Sequence, residues 1–172
     1  VGYDALKNKH GIKVLQDTVT EIDPGERMVM VAEGAISYDR LIISPGISLD
    51  YDSIEGLGPV GRGVFPAAWW AGAETHQLRE ELVAMPAGGT VVLSVPFGPY
   101  RCPPGPYERA SLIADYLKKH KRGSKLIVLD SNEKIISKGK LFKEAWDEFY
   151  SDVIDYRTDS AVVKVDPSTR TV

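Results

Sequence analysis

The stretch from Thr90 to Asp130 constrains the fold more than any other part of the chain. Thr90 to Val95 and Lys125 to Asp130 are short apolar runs of the kind that fill a buried strand. Between them lie a proline- and glycine-rich loop, Pro96 to Pro106, and then Ala110, Ile113, Ala114 and Leu117 at helical spacing. Proline suits the first helical turn, so a helix is expected to begin near Pro106 and to end at Gly123. Strand, loop, helix, strand is a βαβ unit, which requires a parallel sheet and a right-handed crossover.

The flanking regions have a different rhythm. Tyr3 to Lys9 suits a short helix capped by Gly11, and Ile12 to Leu15 reads as a strand. Thr18 to Ile22 and Arg27 to Val31 are strands joined by the turn Asp23-Pro24-Gly25-Glu26, and Ile36 to Tyr38 follows a second turn at Glu33-Gly34. Arg40 to Ser44 is an apolar run of buried-strand type, stopped by Pro45-Gly46. Leu49 to Pro66 is rich in glycine, proline and polar residues and reads as a connection. Ala67 to Met85 returns to helical spacing, with Trp70, Leu78, Leu82 and Met85 on one face. Pro86-Ala87-Gly88-Gly89 breaks that pattern and marks a domain boundary. Beyond the βαβ unit, Lys140 to Tyr150 predicts an amphipathic helix using Leu141, Phe142, Ala145, Trp146 and Phe149. Val153 to Tyr156 and Ala161 to Val165 predict further strands.

Composition narrows the function classes. The formal net charge is -3, which gives no electrostatic reason to expect nucleic acid or a lipid surface as partner. The one dense basic run, Lys118 to Arg122, falls where a helix should end and favours its dipole. A single cysteine excludes an internal disulfide and four-cysteine zinc sites. No run of about 18 apolar residues appears, so no membrane span is expected. Both ends look cut, and the chain reads as a fragment of something longer, without a signal peptide.

A nucleotide site in a βαβ unit needs G-x-G-x-x-G at its first turn, where phosphate meets the helix N-terminus. That turn here carries five prolines and two aromatic residues instead. The expectation is therefore a Rossmann-like domain that does not bind NAD(P). Asp130 stands where NAD enzymes keep a ribose-binding acid, but without a phosphate loop it reads as a polar strand-end residue.

Cys102 lies in that loop, after Arg101 and just ahead of a helix N-terminus, two features that favour a nucleophilic sulfur. Neighbouring prolines should hold the loop in one conformation, which suits attack on sulfur or flavin. The bland alternative is a small buried apolar side chain. Glu108, in the first helical turn, complements the dipole and could also move protons for thiol chemistry. Tyr107 and Arg109 read as packing or helix-surface residues. His10, His76 and His120 are scattered, so no metal site is expected, and no G-x-S-x-G elbow is present.

The string Cys102-Pro103-Pro104-Gly105-Pro106-Tyr107-Glu108-Arg109-Ala110 resembles the flavoprotein subunit of flavocytochrome c sulfide dehydrogenase. Tyr3 to Lys7, Tyr38-Asp39-Arg40, Ser44 to Ile47, Gly88 to Val92 and Asp159 to Asp166 are similar to the same family in the same order. The resemblance implies an α/β fold: a Rossmann-like, NAD-binding-like βαβ domain plus part of an FAD domain with an antiparallel β meander. The implied division is 1–50 for the partial FAD-binding domain, 51–87 for a linker with a helix, 88–166 for the NAD-domain equivalent, and 167–172 for the return to the FAD domain. In that family sulfide attacks a disulfide beside the flavin, and electrons pass through FAD to a c-type cytochrome subunit. Cys102 matches the first cysteine of the pair and Glu108 a candidate proton acceptor. Pro45, Gly46 and Ile47 match the stretch passing the flavin, and Val19 a position whose backbone holds the adenosine end. A periplasmic location is implied by resemblance alone.

The chain lacks both the glycine-rich loop for the FAD diphosphate and a second cysteine, so by itself it is expected to be inactive. A sulfide:quinone reductase would share the architecture and the cysteine; the nine-residue string favours the cytochrome-linked type. An NADH dehydrogenase or disulfide reductase would need the nicotinamide loop. A non-catalytic interaction module, presenting Trp69, Trp70, Phe97 and Tyr100, is the reading from another class. Strand edges at Val162–Val165 and Thr171-Val172 suggest a homodimer of the fragment.

Overall fold

The structure is a computed structural model that describes residues 3–172; Val1 and Gly2, the first two positions of the expected 1–50 domain, lie outside the described residues. The chain divides into two compact units, one ending at Gly46 and one running from Ile47 to Val172.

The first unit opens with helix α1, Asp4–His10, which Gly11 terminates in the left-handed conformation, its N–H on the Lys7 carbonyl. Strands β1 (Val19–Asp23), β2 (Met28–Val31) and β3 (Gly34–Ser37) form an antiparallel meander in that order. The β1–β2 turn is fastened by Asp23, whose Oδ1 accepts from the N–H groups of Gly25 at 2.8 Å and Glu26 at 3.0 Å. Two expected strands are corrected. Ile12–Leu15 is irregular, and so is Arg40–Ser44, where Ile42 is 92% and Ile43 65% exposed. Apolar character alone does not make a strand: the backbone needs a ladder partner, and neither segment has one among the described residues.

In the second unit, α2 (Ala73–Ala84) starts six residues later than Ala67, where its spacing suggested. Gly72, at φ 150, takes a conformation foreign to side-chain-bearing residues, and its N–H donates to the Thr75 hydroxyl. The preceding residues are used in a turn drawn onto Glu74, so Trp70 lies outside the helix and is exposed. Leu82 and Met85 do pack against the core as expected.

Strand β4 (Thr90–Val95), helix α3 (Gly105–His120), strand β5 (Lys125–Asp130), helix α4 (Gly139–Phe149) and strand β6 (Ile154–Arg157) follow. The three strands form a parallel sheet in the order β4-β5-β6, so two successive crossovers each carry a helix. The register pairs Thr90 with Lys125 and Val95 with Asp130, which brings the C-terminal ends of β4 and β5 level.

The core lies between this sheet and the two helices. Ala110, Ile113, Ala114 and Leu117 of α3 are all buried, as their spacing predicts, against Leu126, Val128 and Trp146. Tyr107 extends that stripe one turn toward the helix start and stacks at a tilt on Phe142 and Trp146. Leu141 and Phe149, expected on the inner face of α4, are exposed. Thr90–Val95, expected to be wholly buried, packs only through Val91, Leu93 and Val95, and Val92 is exposed. A sheet covered on one face buries every second residue. The basic run has structural work: Lys118 reaches the Phe149 carbonyl, Lys121 the Val83 carbonyl, and Lys119 pairs with Asp115.

Ala161–Val165 is not a strand. It meets Glu55 through a single bridge, with Glu55 N–H on the Val163 carbonyl at 3.1 Å and Val165 N–H on the Glu55 carbonyl at 2.8 Å. Gly56 lets the two backbones come this close, because a Cβ there would collide with the Val165 carbonyl oxygen. The edge expected to support a homodimer is therefore partly taken up within the chain, Val165 being buried, and Asp166 pairs with Thr171.

Candidate active site

The loop carrying Cys102 runs from the C-terminal end of β4 to the start of α3. Cys102 is exposed, in a left-handed backbone conformation, and its carbonyl accepts from the N–H of Gly105 at 2.9 Å. A free cysteine outside the packed elements is accessible to a small nucleophile or electrophile, which argues against the buried apolar alternative.

Gly105, the first residue of α3, is required by close approach. A Cβ there would lie 2.6 Å from Cη2 of Trp69 and 3.5 Å from Cys102 Sγ, so the indole and the sulfur share one side of this glycine. Trp69 is partly buried and Tyr100 packs against the core, whereas Trp70 and Phe97 are exposed. Two of the four aromatics offered as an interaction patch are therefore packing residues.

Glu108 is exposed in the first turn of α3, where a carboxylate complements the helix dipole. It stands at the same helix end as Cys102, and no hydrogen bond joins the two among the described residues. Arg109 is partly exposed on the same turn.

The best-organised part of the region escaped the sequence reading, except for its centre. Asp130 is fully buried at the end of β5, and three side chains converge on its carboxylate. The hydroxyls of Tyr107 and Tyr156 each donate to Oδ2 at 2.8 Å. Asn132 donates to Oδ1 twice, from its backbone N–H at 2.9 Å and from Nδ2 at 2.8 Å. With its acceptor sites taken, Asp130 is a structural strand-end residue, as read from the missing phosphate loop. Burial, reinforced by the neighbouring carboxylate, pushes both phenols above the ordinary tyrosine range. Tyr107, read as a packing or helix-surface residue, is a packing residue that continues the spacing of Ala110 and Ala114, but its bond to Asp130 was not foreseen. Asn132 and Tyr156 gave no local signal.

The same asparagine reaches the cysteine loop. Its Nδ2 donates to the Pro96 carbonyl at 3.0 Å, and its Oδ1 accepts from the N–H of Gly98 at 3.1 Å. Ser131 adds a bond from its hydroxyl to the Val95 carbonyl. The loop is thus anchored at its start by Ser131 and Asn132, the two residues that follow β5.

The residues matched to flavin contacts are distributed along the chain. Val19 is exposed on β1, an edge strand with backbone groups on its unpaired side. Pro45 and Gly46 are exposed at the end of the first unit, Gly46 at φ 82, and Ile47 opens the second. None of the four carries a charged side chain. No group of three His, Cys, Asp or Glu side chains suited to a metal occurs among the described residues. No described helix is long and apolar enough to cross a membrane.

Comparison with known proteins gives concordant matches. A family model described as sulfide dehydrogenase (flavocytochrome c) flavoprotein chain, central, matches residues 75–172, more than half of the chain. A mitochondrial sulfide:quinone oxidoreductase of Dictyostelium discoideum is 30% identical over 113 residues, 64% of this chain and 25% of that protein. The mitochondrial sulfide:quinone oxidoreductase of Mus musculus is 46% identical over 48 residues, 27% of this chain and 11% of that protein. The matched stretch thus spans a quarter or less of these relatives' length.

Proposed function

The chain belongs to the flavocytochrome c sulfide dehydrogenase flavoprotein family, and from that premise we propose that it is the central region of an FAD-dependent enzyme oxidising sulfide through Cys102. The observation that carries this reading is the exposed cysteine on a loop whose start Asn132 ties down, inside the stretch that matches the family. On this reading residues 88–166 are the Rossmann-like NAD-domain equivalent, the β1–β3 meander belongs to the FAD domain, 51–87 is the linker with its helix, and 167–172 leads back.

Cys102 forms a disulfide with a cysteine outside this chain. Hydrosulfide attacks one sulfur of that pair; a new S–S bond forms as a persulfide, and the other sulfur leaves as thiolate with the bonding electron pair. Glu108 accepts the proton that hydrosulfide or the persulfide gives up. FAD, when bound, supplies the two-electron sink. Pro45, Gly46 and Ile47 would line its passage, and the backbone at Val19 would hold its adenosine end. A c-type cytochrome subunit then receives the electrons, and a periplasmic location follows from that partner. The piece alone would neither retain FAD nor turn over.

The test uses the full-length protein: visible spectra of bound flavin before and after anaerobic sulfide. Bleaching that cytochrome c reverses, and that Cys102→Ser abolishes, is the expected result. Flavin that sulfide leaves oxidised while NADH bleaches it overturns the proposal. The sulfide:quinone oxidoreductase matches support a second reading, in which a quinone and not cytochrome c reoxidises the flavin. Supplying each acceptor in turn to sulfide-reduced protein separates the two.

A further inference from the structure

Asn132 uses one carboxamide to join the buried carboxylate at the end of β5 to the start of the Cys102 loop. It is 7% exposed. Both hydrogens of its Nδ2 are committed, one to Asp130 Oδ1 at 2.8 Å and one to the Pro96 carbonyl at 3.0 Å. Its Oδ1 accepts from Gly98 at 3.1 Å. The amide cannot rotate without breaking all three bonds, because its donor and acceptor ends are not interchangeable. Its own N–H is held by the same Asp130 oxygen at 2.9 Å.

We propose that Asn132 is a positioning residue for Cys102, setting the path of the 96–104 loop by clamping Pro96 and Gly98 onto the Asp130 carboxylate. The proposal rests on the reading of Cys102 as the reacting sulfur. Disulfide attack is in-line, so the sulfur must be held at a fixed angle as well as within reach. A side chain fixed at one end in a fully buried carboxylate transmits the rigidity of the sheet to the loop. Tyr156 also donates to the Asp130 carboxylate and, among the described residues, its hydroxyl bonds no residue of the 96–100 segment, which makes it the internal control.

The experiment compares wild type, Asn132→Ala, Tyr156→Phe and Cys102→Ser in the full-length, flavin-loaded protein, measuring anaerobic flavin reduction against sulfide concentration and the dithiol/disulfide midpoint potential. Asn132→Ala is expected to lower the limiting rate by roughly tenfold to a hundredfold with KM little changed, and to shift the midpoint potential. Tyr156→Phe is expected to lower the melting temperature while keeping the wild-type rate and potential. Asn132→Ser keeps a polar group but cannot span Pro96 and Gly98 together; it is read in the same way and covers a failure of the alanine variant to fold. Wild-type rates and potential in the asparagine variants, or equal slowing in Asn132→Ala and Tyr156→Phe, overturn the proposal. If Cys102→Ser keeps wild-type bleaching, the reading beneath fails and the proposal falls with it.

Discussion

Cys102 and Tyr107 lie five positions apart in the chain and occupy opposite environments. The thiol is exposed, while the phenol is wholly buried on Asp130. Iodoacetamide should therefore alkylate Cys102 in the reduced, folded chain nearly as fast as in urea; protection until unfolding would show a packed thiol. Tyr107 and Tyr156 should stay protonated above their ordinary value of 10.0. Their pKa is raised by folding, so the stabilisation they give is whole below pH 10 and drains away as pH climbs above it. Absorbance titration near the phenolate band should show two tyrosines ionising only with unfolding, and Tyr107→Phe should reduce that class to one.

At the scale of elements, α2 is fixed by its first turn. Glu74 accepts from the Tyr51 hydroxyl at 2.7 Å, the Ala67 N–H at 2.6 Å and Arg62 at 3.2 Å. Burial by itself would raise this carboxyl, but the three donors outweigh it and hold it below its ordinary 4.5. A depressed acid stabilises the fold above its unfolded value and loses that contribution as pH falls through the folded one. Chemical denaturation between pH 5 and 3 should show stability falling, with a shallower slope in Glu74→Gln; an unchanged slope would remove Glu74 from the account. The inner and outer faces of the helices predict a second contrast. Leu117→Ala should cost about 2–5 kcal/mol, because it opens a cavity under α3. Leu141→Ala should cost less than about 0.5 kcal/mol, because that side chain is largely in solvent.

Across the whole molecule, the two units differ in how much they bury. Val29 is the one buried hydrophobic residue described in the first unit, whereas the second has a continuous cluster spanning sheet and helices. A three-stranded meander with so little apolar cover is marginal. Hydrogen exchange on the 172-residue chain should find the amides of β1–β3 exchanging well before those of β4 and β5. Equal protection would mean that the meander draws stability from packing not seen here.

The sequence by itself determined what depends on near neighbours. Helical spacing marked the inner face of α3, the proline–glycine loop marked where Cys102 sits, and Gly11 and the Asp23 turn marked their own chain reversals. It misread Arg40–Ser44 and Ala161–Val165, because a strand is defined by its ladder partner and not by its own apolar content. Only the tertiary structure decided what Asp130 does. The hydroxyls that fill its carboxylate come from 23 residues before it and 26 after it in the chain. The asparagine that links it to the cysteine loop reaches back 34 residues to Gly98. Such a constellation has no period, since its residues meet only after the parallel strands have aligned their ends.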